Sequence, residues 1–208
     1  HKQIMMSSAW QQSSRTRELH NTDPDNRLLS RFPFRRLAAE AIRDSILAIS
    51  GGLDRRLLGP PTERLVEPTG EVRHPAGPQG HRRSIYLVRR RKTPNTMLDL
   101  FDAPAMSPNC LQRTDSTVPT QALFLLNSEF VNDQSKALAT RVRKMDSDKA
   151  RVDLAFQLAF ARSATVEEQT RTDVFLALCN TEGRDAELKA WATVCQALLA
   201  SAECRNLN

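Results

Sequence analysis

The chain has 208 residues, 30 Lys+Arg against 24 Asp+Glu, 40% apolar residues and only 7 Gly. That is enough for one sizeable core or two small ones. It excludes a disordered tail, which lacks the aliphatic content to offset ordering entropy, and a membrane-spanning helix, because the densest apolar run, Ala122 to Leu126, falls far short of the roughly 18 residues required. Aromatics make up 5%, so the core must be built mainly from Leu, Ile, Val and Ala.

The net charge of +6 is unevenly placed: residues 1–92 hold 18 basic and 9 acidic side chains, residues 93–208 hold 12 and 15. A positive first half facing a negative second half favours an anionic partner, or the two halves docking on each other. Nucleic acid is an unlikely partner, since no recognition motif accompanies the charge.

In chain order, Ile4, Met5, Ala9 and Trp10 have helical spacing that ends in the polar stretch Ser13 to Arg17. Asn21 to Asn26, with Asp23 and Pro24, is turn chemistry. From Arg35 to Ser50, Ala38, Ile42, Ile46 and Ile49 recur every three or four positions, and Gly51-Gly52 can supply a left-handed terminator, so a helix is predicted over 35–50. Residues 51–80 carry five Pro and six Gly, which predicts a long irregular connection. Ser84 to Val88 reads as a short strand or an extended strap, followed by the basic run Arg89 to Lys92. A short helix is predicted over Thr96 to Asp102, before a polar loop through Cys110 to Ser116.

The second half is more regular. Pro119 suits a first helical turn ahead of Ala122, Leu123, Leu125 and Leu126, and Asn127-Ser128 can interrupt and recap before Phe130, Val131, Ala137, Leu138 and Val142. Asp148 can cap a helix running to Arg162, with Val152, Ala155, Phe156 and Ala159 on one side. Thr165 with Glu168 matches a capping box that opens a helix to about Asn180. Trp191, Val194, Cys195, Leu198 and Leu199 form an apolar stripe that must pack inward. The expected fold is therefore mostly α: one irregular helical domain over 1–208, with a long Pro/Gly-rich loop and at most a short β strap. His1 in place of an initiator Met fits a piece excised from a longer protein.

Chemical motifs are sparse. The cysteines Cys110, Cys179, Cys195 and Cys204 show no CxxC or CxxCH, and Cys179 and Cys195 read as small buried hydrophobes. The four histidines have no metal-ligand spacing, so no metal or cofactor is expected in this segment. His74 and His81 lie in the Pro/Gly-rich loop, where exposure is the ordinary expectation. Nucleophile elbows and phosphate-cradling glycine loops are missing. Two clusters remain. Arg35, Arg36, Glu40, Arg43 and Asp44 fall at helical spacing, and His81, Arg82, Arg83 and Tyr86 form a cationic, aromatic strap able to hold an anionic ligand. The first cluster reads either as an ion-paired solvent face or as two carboxylates one turn apart, Glu40 and Asp44, held by arginines as polar anchors or an acid/base pair.

Four stretches, His1 to Ser13, Asn26-Arg27-Leu28-Leu29 with Arg35 to Asp44, Arg82-Arg83-Ser84-Ile85-Tyr86 and above all Thr117 to Ser128, together with the closing Ala190 to Leu199, resemble the C-terminal domain of unknown function in planctomycete cytochrome c-type proteins. The resemblance spans nearly the whole chain and departs from the family in two places. Cys204 stands where the family usually has Phe, and Ala161-Arg162-Ser163-Ala164-Thr165 replaces a Gly-Arg-Pro-type turn. It implies an extracytoplasmic setting, upstream domains of the same polypeptide as partners, and a haem carried in an upstream domain rather than here. The function expected is a non-catalytic helical module docking on those domains. The alternatives are an enzyme module acting on a carbohydrate or other anionic substrate, and a binder of anionic polymer.

Overall fold

The computed structural model describes residues 1–14, 23–105, 113, 115–179 and 183–207. The chain divides into two compact units, residues 1–37 with 205–208, and residues 38–204. The fold is mostly α, with two short antiparallel strand pairs among the described residues.

In the smaller unit the first helix, α1 (Lys2–Met5), is a single exposed turn, shorter than the apolar spacing predicts. Trp10 packs edge-on against Phe32 at 6.4 Å. The expected turn centres on Asp23, whose carboxylate accepts the N–H groups of Arg27 and Leu28, both at 2.8 Å. Arg31 closes it by donating to the carbonyls of Asp23 and Pro24. Strand β1 (Arg35–Arg36) then pairs with β4 (Asn206–Leu207), Arg35 opposite Leu207 and Arg36 opposite Asn206. Arg35 and Arg36 are therefore extended rather than helical, so Arg36 and Glu40 do not share a helix face.

The larger unit opens with α2 (Ala39–Ser50), four residues later than predicted. Gly51, at φ 86°, terminates it in the left-handed conformation that costs an L side chain most. Residues 51–80 are irregular apart from the hairpin of β2 (Leu65–Val66) and β3 (Val72–Arg73). The strap is not a strand: Ser84–Tyr86 forms one 3-10 turn, flanked by isolated parallel bridges Asp54↔Arg82 and Thr62↔Leu87. Helix α3 (Thr96–Leu100) follows, N-capped by Asn95, whose side chain accepts from Leu98 N–H.

The remaining helices are α4 (Pro119–Asn127), α5 (Glu129–Val142), α6 (Asp148–Phe160), α7 (Val166–Leu178), α8 (Arg184–Ala200) and the short α9 (Ala202–Arg205). Ser147, not Asp148, caps α6 with its hydroxyl, because Asp148 already occupies the first helical position. The capping box of Thr165 and Glu168 forms as the spacing predicts.

Helix α5 is the centre of this unit, packing most extensively on α8 and next on α2. Its buried residues Val131, Gln134, Ser135, Leu138, Ala139 and Val142 repeat every three to four positions, and the small Ser135 and Ala139 permit close helix approach. The opposing stripe of α8 buries Trp191, Cys195, Leu198 and Leu199, while Val194 is half-buried. Each fully buried Leu here contributes about 1.5–3 kcal/mol by transfer from water.

Candidate functional site

Helix α2 places Glu40, Arg43 and Asp44 within one turn, and Arg43 lies on the same apolar face as Ala39, Ile42 and Ile46. Its guanidinium is consequently buried, with 4% of the side chain exposed, and must find partners in the interior. It finds them in the strap. One terminal nitrogen donates to Arg82 O at 2.9 Å and to Ser84 Oγ at 3.2 Å, and the other donates to Gly80 O. Gly80 is required here, since a Cβ would fall 1.5 Å from the carbonyl oxygen of Pro75.

Asp44 completes the arrangement. Its carboxylate accepts the Ser84 N–H at 2.8 Å and the Ser84 hydroxyl at 2.7 Å, and lies 3.4 Å from Arg43. Burial pushes the Arg43 guanidinium down to about 10, and the Asp44 charge and hydrogen bond act against that fall. At neutral pH it remains a cation, so the network is a half-buried ion pair in which the guanidinium also donates to two backbone carbonyls and the Ser84 hydroxyl.

Glu40 points elsewhere. Arg113 binds it through two bonds of 2.8 and 3.4 Å, and Arg89 stands at 4.0 Å. Burial raises the Glu40 carboxyl, but the hydrogen bond and charge of Arg113, with that of Arg89, bring it below the ordinary value on balance.

Within the strap, Arg82 is buried and its guanidinium lies over the Tyr86 ring at 4.1 Å. It donates to the carbonyls of Leu58 and Pro60, while the Tyr86 hydroxyl accepts the Leu58 N–H at 3.0 Å. These contacts hold Leu58 at φ 63°, an uncommon conformation for a branched side chain. Arg83, between these groups, is exposed.

His81 and His74 reach a second feature, a cavity of about 60 Å³ also lined by Arg43, Phe130, Asp133 and Gln134. This exceeds the roughly 10–15 Å³ that one water needs. His74 is half-buried rather than exposed, because its Nδ1 lies 3.1 Å from Glu63 O. A carbonyl can only accept, so Nδ1 carries the proton, and Nε2 is a buried acceptor with no partner among the described residues. Burial, then the Arg43 charge, lowers the pKa of His81. Burial also lowers that of His74, partly offset by the Glu63 bond. Both rings are therefore neutral at pH 7.

The structure thus joins Arg43, Asp44 and Arg82 to one another through the strap and sets Glu40 in a separate ion pair. Arg35 and Arg36 belong to the other unit. Ser84, Gly80, Arg113 and Gln134 complete the contacts, and none of them stands out in the sequence. Of the cysteines, Cys179 is exposed rather than buried, and Cys195 is buried with its thiol pushed up to about 12 by desolvation. Cys110 lies outside the described residues. Among the described residues no group of three His, Cys, Asp or Glu side chains could hold a metal ion, and no helix is long and apolar enough to cross a membrane.

These features define a helical domain whose most polar cluster fastens an irregular strap to a helix. Over residues 1–176 the chain matches the model of the family described as PSD1, protein of unknown function (DUF1553), and it belongs to that family. No curated protein and no solved structure matches it. Within the stretch Thr117 to Ser128, Gln121 has a structural role: it is 1% exposed and its amide donates to Leu100 O at 3.0 Å and Ser116 O at 3.2 Å.

Proposed function

We propose that this domain is a non-catalytic module that docks on neighbouring domains of a larger exported polypeptide, of the cytochrome c-linked planctomycete type. The observation that supports this reading is the fate of the polar cluster. Asp44 is committed to Ser84 and Arg43, Glu40 to Arg113, and Arg82 to backbone carbonyls. An acid/base pair needs a carboxylate within reach of substrate, whereas these groups act on their own chain. At this cluster the enzyme reading has no carboxylate left for a substrate.

What the cluster fixes is a surface. Leu57, Leu58 and Ile85 are 70%, 80% and 77% exposed, and Leu58 is tied to the strap by Tyr86 and Arg82. Exposed apolar side chains held by a preordered strap, together with the exposed cation Arg83, suit a partner domain carrying apolar and acidic groups, because ordering costs are met before association. Extracytoplasmic placement accompanies this proposal through the family resemblance.

The test is association between this chain and the upstream domain of its polypeptide, produced separately, in low-salt buffer where charge assistance is strongest. Binding is expected, weakened at least about tenfold by Ile85→Asp, whose carboxylate would be covered without a partner only in the complex. Absence of association in low salt overturns the proposal.

A further inference from the structure

One to two turns beyond the strap-binding residues, the C-terminal end of α2 and the last turns of α5 border an open recess of about 550 Å³, within the size range of small-molecule sites. Three cations line it, Arg55, Arg141 and Lys144, and no Asp or Glu does. We propose that this recess binds a tetrahedral oxyanion, a sulfate or phosphate, borne as an ester on a small organic molecule.

Three observations carry the proposal. First, three of the last four carbonyls of α2, whose partial negative charge would repel an anion, are already capped. Leu47 O and Ala48 O accept the N–H groups of Gly52 and Gly51, and Ile49 O accepts Arg141 Nη1 at 3.0 Å. Second, the bond to Ile49 and contact with Gly51, where a Cβ would lie 3.6 Å from Arg141 Nη1, pin one edge of the guanidinium and leave other N–H groups for a ligand. Third, the adjacent carboxylate does not neutralise the recess, since Asp54 pairs with Arg56 at 2.7 Å, and none of the three lining cations has an ion pair among the described residues.

The number of cations selects the ligand. A carboxylate is saturated by one guanidinium fork, whereas an esterified sulfate or phosphate presents three terminal oxygens and can engage Arg55, Arg141 and Lys144 together. The recess volume of about 550 Å³ leaves room for a sugar-sized body as well.

Isothermal titration of the full chain with glucose 6-sulfate, glucose 6-phosphate, inorganic sulfate and acetate at matched ionic strength tests this. The expected result is single-site binding of both esters, tighter than inorganic sulfate and acetate. Arg141→Gln should weaken it roughly tenfold or more, as loss of a hydrogen bond to a charged group does. Arg55→Gln combined with Lys144→Gln should do the same, and since both side chains are exposed this variant decides the matter even where Arg141→Gln fails to fold. No saturable binding of the esters, acetate binding equal to theirs, or unchanged affinity in the double variant overturns the proposal.

Discussion

Asp44 and Ser84 are joined by both the backbone and the side chain of the serine, 40 residues away in sequence: the carboxylate accepts the N–H at 2.8 Å and the hydroxyl at 2.7 Å. Because the same hydroxyl receives a bond from Arg43 at 3.2 Å, a regular helix dictates the path of a segment with almost no regular structure of its own. Position, not reactivity, is what these charged groups supply.

Removing the centre of this network should be costly. Arg43→Met leaves the Gly80 and Arg82 carbonyls and Asp44 without their buried donor, a loss of about 3–5 kcal/mol for breaking a buried pair. Arg83→Ala, at an exposed neighbour, should stay within about 0.5 kcal/mol. Urea denaturation of both variants measures the contrast, and equal small losses would show that Arg43 is not the anchor.

The turn after α6 carries a correctable strain. Ala161 adopts φ 56° as the residue that ends the helix, a conformation in which Cβ costs roughly 1–2 kcal/mol. Ala161→Gly should therefore raise stability by about 0.5–1 kcal/mol, visible as a higher melting temperature; a lower one would mean that the cost of glycine in the unfolded chain dominates.

Acid sensitivity should trace to Arg162. It holds Glu168 through bonds of 2.8 and 2.9 Å and Glu203 through bonds of 2.7 and 2.8 Å, and the hydrogen bond from Arg162 brings the Glu168 carboxyl from 4.5 to about 2. A carboxyl depressed in the folded state stabilises above its unfolded value and loses that contribution as pH falls from about 4.5 toward 2. Denaturation midpoints measured across that window should fall less steeply for Glu168→Gln than for the parent. An unchanged slope would assign the acid limb to other groups.

The core places its demands unequally. Leu138 is 0% exposed on α5 and Leu178 is 79% exposed at the end of α7. Leu138→Ala should cost about 2–5 kcal/mol through lost transfer energy and a residual cavity, and Leu178→Ala less than about 0.5 kcal/mol. Comparable losses would place the core elsewhere.

The helices of the second half are legible in the sequence because burial there follows helical periodicity, and the Thr165 to Glu168 box marks its own boundary. The strap is less legible: its β-prone residues Ile85 and Leu87 suggest a strand, but its hydrogen bonds go to the Arg43 and Asp44 side chains, which leaves room only for a 3-10 turn. Arg43 itself carries a signal, since position 43 falls inside the apolar stripe of Ala39, Ile42 and Ile46 and must turn inward with it. Its carbonyl partners at Gly80 and Arg82 have no side-chain signature at all. Helix 35–50 starts late because Arg35 and Arg36 pair with Asn206 and Leu207, a match between distant segments that no local pattern announces. The convergence of Arg55 with Arg141 and Lys144 is equally non-local.

That pairing of β1 with β4 also has a temporal side. A ribosome releases residues 35–36 long before residues 206–207, so the first segment must wait, unpaired at that edge, until the intervening unit has been synthesised. Closing so wide a loop becomes less demanding once the polypeptide between its ends has already collapsed. That edge of Arg35 and Arg36 is thus made long before the partner that completes it.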